Sequence, residues 1–169
     1  MQLTHFGHSC LLADFGTTTL LFDPGNFSHG FEGITGLSAI LITHQHPDHV
    51  DLHRLPALVE ANPGAALYAD PMTAAQLGEP WQAVHAGDSF TVAELTVRGV
   101  GGQHAVIHPE IPLIDNTSYL IGDGEHAGHA DHTASLKLKP TAAYAALRAA
   151  LAKAHDQRSL HDFIEDWRD

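Results

Sequence analysis

A dense group of polar side chains at residues 43–51 constrains this chain more than any other feature of its sequence. The segment reads Thr-His-Gln-His-Pro-Asp-His-Val-Asp and directly follows the apolar run 37–42. A continuous apolar run of this length is typical of a strand that is buried in a core. The sequence therefore predicts a buried strand that ends in a rigidly held polar loop.

The spacing inside this segment favours a metal site. His44 and His46 are two residues apart, so extended backbone turns both side chains to the same side. Pro47 then bends the chain, which allows Asp48 and His49 to face a second position nearby. Imidazole and carboxylate groups are the usual protein ligands of zinc. The alternative is a solvated polar loop or a helix N-terminus with incidental histidines, because proline and aspartate suit a first helical turn.

Composition limits the class of protein. The chain has 169 residues, 44% of them hydrophobic, which predicts a single domain over 1–169 with a real core. Its net charge of −12 argues against nucleic acid or an anionic membrane as the main partner. The single cysteine, Cys10, excludes an internal disulfide and is expected to be a buried small hydrophobe. We see no signal peptide or membrane helix and expect a cytoplasmic protein with a small-molecule substrate.

Hydrophobic patterning and turn residues predict a chain rich in short strands. The predicted strands are 2–6, 8–15, 18–22, 37–43, 65–68, 83–85, 89–92, 94–100 and 117–121. The predicted helices are 50–60, restarting at Pro56, then 72–77, 141–154 and a last helix from Ser159. The His-rich segment 125–133 lies between the last strand and the helical tail and is predicted to be a polar loop.

Several motifs together resemble those of one known family. They are His44-x-His46-x-Asp48-His49, Phe6-Gly-His-Ser-Cys10, Leu21-Phe-Asp-Pro-Gly25, and residues 103–112 with Asn116 and 119–121. The set resembles the metallo-β-lactamase fold superfamily, and within it the small prokaryotic metal-dependent hydrolases similar to ascorbate-6-phosphate lactonase. The resemblance covers residues 1–124. It implies an α/β fold of the αββα sandwich type, two sheets flanked by helices, with metals at one sheet edge.

The resemblance also implies a role for particular residues. His44, His46 and His104 would hold a first metal, and Asp48 and His49 would hold a second. Asp23 would orient a ligating imidazole, and His8 and Asn116 would line the pocket. His108 is the local competitor of His104. The expected cofactor is Zn²⁺, one or two ions, with Mn²⁺ and Fe²⁺ as alternatives.

Residues 125–169 depart from the family pattern and predict an incomplete second half with a divergent helical tail. The family completes its site with a bridging aspartate and a late histidine. Asp131 is the candidate for the aspartate, and His161 is the candidate for the histidine, with His155 as the other choice. Histidines 126, 129 and 132 recur every three residues and could bind metal on their own. The apolar stripe of Leu160–Trp167 could cover the fold or pair with a second copy of the chain.

These features together predict a metal-dependent hydrolase. A metal-bound hydroxide would attack a small ester, lactone or phosphoester, and Asp48 would orient this nucleophile. The first alternative is a metal-binding relic of the same fold without turnover, because the bridging aspartate and the late histidine are not clearly matched. The second is a nuclease, against which the net charge of −12 and the lack of a basic patch argue.

Overall fold

The computed structural model describes residues 1–108 and 110–122, and the backbone of 127–130. The strands are β1 (Gln2–His5), β2 (Leu11–Asp14), β3 (Thr19–Phe22), β4 (Ala39–Ile42), β5 (Ala66–Ala69), β6 (Gln82–Ala83), β7 (Ser89–Val92), β8 (Leu95–Gly101), β9 (Thr117–Gly122) and β10 (Ala127–Ala130). The helices in the described ranges are α1 (Leu55–Ala61) and α2 (Pro71–Leu77). The predictions for Asp131, His155, His161 and the helices of the tail lie outside the described residues.

The strands form two sheets. The first has six strands in the order β1-β2-β3-β4-β5-β6, antiparallel from β1 to β3 and parallel from β3 to β6. The second has four antiparallel strands in the order β10-β9-β8-β7. Because β3, β4 and β5 run parallel, their carboxyl ends meet at one edge of the first sheet.

Alternating side chains of the central strands pack on both faces of the first sheet. In β4, Ile40 and Ile42 belong to one apolar cluster, together with Leu55 and Leu58 of α1. Leu41 points to the opposite face and joins a second cluster, whose members from the other sheet include Val97 and Tyr119 of β8 and β9. Full burial of each such side chain stabilises the fold by about 1.5–3 kcal/mol. This double burial is the reason that residues 37–42 contain almost no polar side chain.

The described residues therefore form three layers: the helices, the first sheet and the second sheet. This mixed α/β arrangement agrees with the fold class that the sequence predicted. No helix in the ranges that the structure describes is long and apolar enough to cross a membrane.

Two sequence predictions about secondary structure were wrong. The helix predicted from residue 50 begins only at Leu55, because the Asp51 carboxylate accepts hydrogen bonds from the backbone of His53 (2.8 Å) and Arg54 (3.2 Å) and stabilises a turn. The segment 125–133 was expected to be a loop, but its residues 127–130 form β10. The backbone of β10 pairs with β9 in antiparallel register, and this pairing outweighs the low strand propensity of alanine and glycine.

The buried carboxyl group of Asp70 should make the free energy of unfolding depend on pH. It is fully buried and caps α2 through the backbone N–H groups of Met72 and Thr73. Burial raises the pKa of Asp70 to about 6 from its ordinary 3.8, although these hydrogen bonds lower it. The protonated form is favoured in the folded state, so its stabilisation is complete below pH 4 and lost as the pH rises through about 6.

Asp70→Asn keeps the cap and removes the buried charge. We expect the variant to be more stable than the wild type at pH 8 by on the order of 2 kcal/mol. The difference should shrink towards zero at pH 4. Urea unfolding at both pH values measures this, with Asp70→Ala as the variant that loses the cap. A destabilised Asp70→Asn at pH 8 would contradict the prediction.

Candidate metal centre

The site lies at the edge of the first sheet where the parallel strands end. Asp23 directly follows β3, and Thr43 and His44 follow β4, its parallel neighbour. The second sheet is tied to the same point, because the Thr117 N–H donates to the Thr43 carbonyl (2.9 Å) and the Tyr119 hydroxyl donates to the carbonyl oxygen of Ile42 (2.9 Å). The loop after β4 is therefore anchored to both sheets.

Three histidines form the first group of ligand-type side chains. One ring nitrogen each from His44, His46 and His104 lies within 4.8 Å of the other two. His44 Nε2 is 3.0 Å from His46 Nδ1. Two nitrogens on one tetrahedral zinc would lie about 3.3 Å apart, given Zn–N distances of about 2.0–2.1 Å. The separation of these rings therefore fits a shared metal.

Hydrogen bonds from Nδ1 set the tautomers of two of these rings. His44 Nδ1 lies 3.0 Å from the Thr43 hydroxyl, which itself donates to Asp23 Oδ2 (2.8 Å). His104 Nδ1 donates to the Ala105 carbonyl (2.7 Å). In both rings Nε2 then carries the lone pair that a metal requires.

His104 reaches the group from the loop after β8. Its backbone N–H donates to the Ile114 carbonyl (2.9 Å), which folds this loop back on itself. His108, its competitor in the sequence, is exposed, and its Nδ1 accepts a hydrogen bond from the Glu110 N–H (3.2 Å). The structure thus brings His104 next to His44 and His46, and their shared metal stays a prediction.

A second group consists of His8, Asp48 and His49, whose ligand-type atoms also lie within 4.8 Å of one another. His8 Nε2 is 2.7 Å from Asp48 Oδ2, and His49 Nε2 is 3.8 Å from the same oxygen. The rings of His44 and His49 have centroids 3.9 Å apart, so the two groups are adjacent. The sequence predicted the proximity of Asp48 and His49 but placed His8 only in the pocket lining.

Asp23 organises both groups from beneath. Its carboxylate accepts hydrogen bonds from the Thr43 N–H, the Thr43 hydroxyl and His49 Nδ1, each at 2.8 Å. Because Nδ1 of His49 donates, Nε2 carries the lone pair and lies on the side of Asp48. Asp23 thus holds a ligand-type imidazole by a hydrogen bond, and its part in metal binding stays a prediction.

The surroundings shift the pKa values of His46, Asp48 and His49. Burial lowers the pKa of His46, and the neighbouring His104 lowers it further, so that neutral imidazole is favoured. Burial raises the pKa of Asp48, but the hydrogen bond from His8 and the charges of His49 and His8 outweigh it and hold this pKa well below its usual range. For His49, burial lowers the pKa, whereas the Asp23 carboxylate raises it more strongly. The neutral His46 imidazole and the ionised Asp48 carboxylate are donors of the kind that zinc binds, whereas a metal at His49 would have to displace a proton.

The turn after β3 packs directly beneath the loop that carries these ligands. The Asn26 N–H donates to the Pro47 carbonyl (2.8 Å), and the Asp51 N–H donates to the Pro24 carbonyl (3.0 Å). Arg54 fastens the same turn, because its guanidinium donates to the carbonyl oxygens of Gly25 (2.9 Å) and Ser28 (2.8 Å). No local sequence pattern predicts these long-range contacts.

A substitution at Gly25 would disturb the contact between the turn after β3 and the loop after β4. A Cβ atom at Gly25 would lie 1.8 Å from the Asp48 carbonyl oxygen and 2.6 Å from the His49 nitrogen. We expect Gly25→Ala to destabilise the fold by about 3 kcal/mol or more, at or above the upper end for overpacking, and to weaken metal binding. Gly33→Ala is the matched control, since a Cβ there meets nothing within 4 Å. Thermal unfolding and metal content of both variants test this, and equal behaviour would contradict it.

Comparison with known proteins places the chain in a family. The model of the beta-lactamase superfamily domain matches residues 2–147. The chain belongs to the metallo-β-lactamase superfamily. A relative from Xanthobacter autotrophicus, a UPF0173 metal-dependent hydrolase, is 32% identical over 129 residues, which cover 66% of this chain and 51% of the relative. Protein Rv0786c of Mycobacterium tuberculosis is 76% identical over 132 residues, which cover 78% of this chain and 62% of that protein.

Solved structures support the fold. The metallo-beta-lactamase fold protein YhfI from Bacillus subtilis superposes with a TM-score of 0.52 and 20% identity, over 74% of this chain and 58% of that chain. This chain spans about half to three fifths of the length of the two curated relatives. The metallo-β-lactamase fold and the membership in a metal-dependent hydrolase family are therefore shown.

The remaining predicted site residues are placed as follows. Asn116 is buried directly before β9, where its carbonyl oxygen accepts a hydrogen bond from the Gly102 N–H (2.8 Å), and its role in the pocket stays a prediction. Asp131 and His161 lie outside the described residues. Sequence analysis missed Thr43, whose hydroxyl links His44 to Asp23; a threonine between a buried strand and the histidine motif was the only available signal.

Proposed function

We propose that this chain is a metal-dependent hydrolase that acts on a small ester, lactone or phosphoester. The observation that carries the proposal is the convergence of two adjacent groups of ligand-type side chains at one sheet edge. Four of the six side chains come from the loop after β4, one comes from the loop after β8 and one from the loop between β1 and β2. Buried hydrogen bonds fix His44 and His49. Such fixed donors are the usual basis of a catalytic metal site.

Each residue has a defined task in this proposal. His44, His46 and His104 would hold one metal, and Asp48 and His49 would contribute to a second. A divalent metal bound there would supply activation of a water molecule and stabilisation of negative charge on the substrate. With such a metal bound, the ionised Asp48 carboxylate would accept a hydrogen bond from the water and orient it towards the substrate. Zn²⁺ is the first candidate because of the imidazole-rich donor set, with Mn²⁺ and Fe²⁺ next.

Charge supports a neutral substrate ahead of a phosphorylated one. Residues 1–122 contain only two basic side chains of the lysine or arginine type, Arg54 and Arg98. The Arg54 guanidinium is engaged by the carboxylate of Asp51 (2.6 Å) and by two backbone carbonyls. Within residues 1–122, a substrate phosphate would therefore find little positive charge apart from that of the metals. The same scarcity of basic residues opposes a nuclease.

The experiment begins with the full chain stripped of metal by a chelator and reloaded with Zn²⁺, Mn²⁺ or Fe²⁺. Lactones and carboxylic esters are assayed first, and phosphoesters second. We expect turnover that depends on added metal. A chain that binds no metal would refute the proposal. A chain that binds metal but hydrolyses none of these classes would be the catalytically impaired relic.

A further inference from the structure

The loop between β1 and β2 holds His8 in a strained conformation next to the second group of ligands. His8 has a positive φ of 45°, and the preceding Gly7 has a φ of 97°. The loop is fixed from outside, since the Ser28 hydroxyl donates to the Gly7 carbonyl (2.8 Å) and the Ser9 hydroxyl donates to the Asp48 carbonyl (3.3 Å). Strained backbone that the surrounding structure over-determines is concentrated at functional sites.

The His8 side chain is directed at Asp48 and His49. Its Nε2 lies 2.7 Å from Asp48 Oδ2, and its ring meets the His49 ring edge-on with centroids 5.3 Å apart. The Phe27 ring supports the other side of the imidazole, also edge-on, at 5.5 Å. These contacts bring one ligand-type atom from each of His8, Asp48 and His49 within 4.8 Å of one another.

A simple surface ion pair does not account for this arrangement. The His8 and Asp48 side chains are 30% and 26% exposed, and a pair in such surroundings contributes little to stability. His85 and Asp88 form an ordinary exposed pair at 3.2 Å elsewhere in the chain. Unlike that pair, the His8 pair is built on a strained loop that two serine hydroxyls hold in place.

We propose that His8 is the third protein ligand of the second metal, together with Asp48 and His49. Two imidazoles and one carboxylate form a set that suits Zn²⁺, Mn²⁺ or Fe²⁺. His8 Nε2 and Asp48 Oδ2 lie 2.7 Å apart, so that both are within reach of one shared ion. Each of the two metals then has three protein ligands from residues 1–104. The inference rests on the metal centre of the proposed function.

The test measures zinc per chain and zinc affinity on the full-length protein. His8→Ala and His8→Gln are compared with His44→Ala and with His85→Ala, the matched control from an exposed His–Asp pair. Elemental analysis after equilibration with Zn²⁺ alone gives the stoichiometry, and competition with a chelator gives each affinity. The absorption spectrum of the Co²⁺-loaded protein reports the number of ligands. Circular dichroism confirms that each variant is folded.

We expect two zinc ions in the wild type and in His85→Ala, and one in both His8 variants. The affinity for the second ion should fall by more than about 100-fold, because even residues that only support a ligand contribute 10–100-fold. His8→Gln retains a hydrogen bond to Asp48 but no imidazole. If it binds two ions as tightly as the wild type, His8 only positions Asp48 and the inference is wrong.

The other outcomes separate this inference from the proposed function. Two ions in His8→Ala with unchanged affinity, but fewer in His44→Ala, would overturn the role of His8 and leave the metal centre intact. A wild type with one ion, lost in His44→Ala, would do the same. A wild type that binds no zinc would overturn both.

Discussion

His44→Ala is expected to release bound metal and to lower metal-dependent hydrolysis by more than about 100-fold. His44 is fully buried at the centre of the site. Its ring is 3.9 Å from His49, 4.7 Å from His46 and 4.8 Å from His104, measured between centroids. Removing the imidazole deletes one ligand of the first group. It also deletes the ring that packs against His49 of the second group. Residues behind a ligand typically contribute 10–100-fold to metal affinity, so the loss of a ligand itself should exceed that range.

The measurement is metal content and turnover of the purified variant beside the wild type. Alanine also leaves a cavity, so His44→Gln, which fills more of the volume, separates loss of the ligand from loss of packing. His85→Ala controls for the removal of an arbitrary histidine, since His85 is exposed and distant in sequence from both ligand groups. If His44→Ala kept its metals and its turnover, the assignment of the centre would be wrong.

The strands of the central sheet could be predicted because a strand that is buried on both faces requires consecutive apolar residues. β4 is flanked by parallel strands and covered on both faces, so each of its side chains is apolar. Ile40 and Leu41 join different apolar clusters although they are neighbours in the chain. In a chain of this size, few conformations other than a buried strand would stabilise such an apolar run.

The start of α1 and the identity of β10 could not be predicted in the same way. The apolar periodicity from residue 50 fits a helix, but a single carboxylate, Asp51, holds the backbone of His53 and Arg54 in a turn. β10 contains alanine, glycine and histidine, which do not favour strands by themselves. Its conformation depends on the open edge of β9, which is a tertiary property.

The residues of the site also differ in how far the sequence alone could predict them. His44, His46, Asp48 and His49 lie within six residues of one another, so their spacing alone indicated a metal centre. His8 is the counterexample, because its partner Asp48 is 40 positions away and the two meet only when two loops pack together. Local sequence patterns record neighbours along the chain, whereas a ligand brought in by a distant loop depends on the packed fold. The residues beyond 130 that the sequence proposed for the site lie outside the described structure.

Asp23→Asn is expected to preserve the fold and impair the second metal. Asparagine can still accept the hydrogen bond from the Thr43 N–H through Oδ1, where the wild-type distance is 2.8 Å. Its amide nitrogen, however, replaces the oxygen that accepts from His49 Nδ1. An NH₂ group can only donate, so His49 Nδ1 must become the acceptor and the ring proton moves to Nε2. The nitrogen facing Asp48 then has no lone pair for a metal.

We therefore expect the affinity for the second metal to fall by about 10–100-fold in Asp23→Asn, while the first metal is largely retained. Asp23→Ala should behave differently, because it leaves the buried Thr43 N–H and hydroxyl and His49 without their acceptor. At about 1–3 kcal/mol for each unsatisfied buried group, we expect this variant to lose several kcal/mol of stability. Chelator competition and urea unfolding of the two variants separate the effects. Equal metal affinity in Asp23→Asn and the wild type would show that the tautomer of His49 does not control the site.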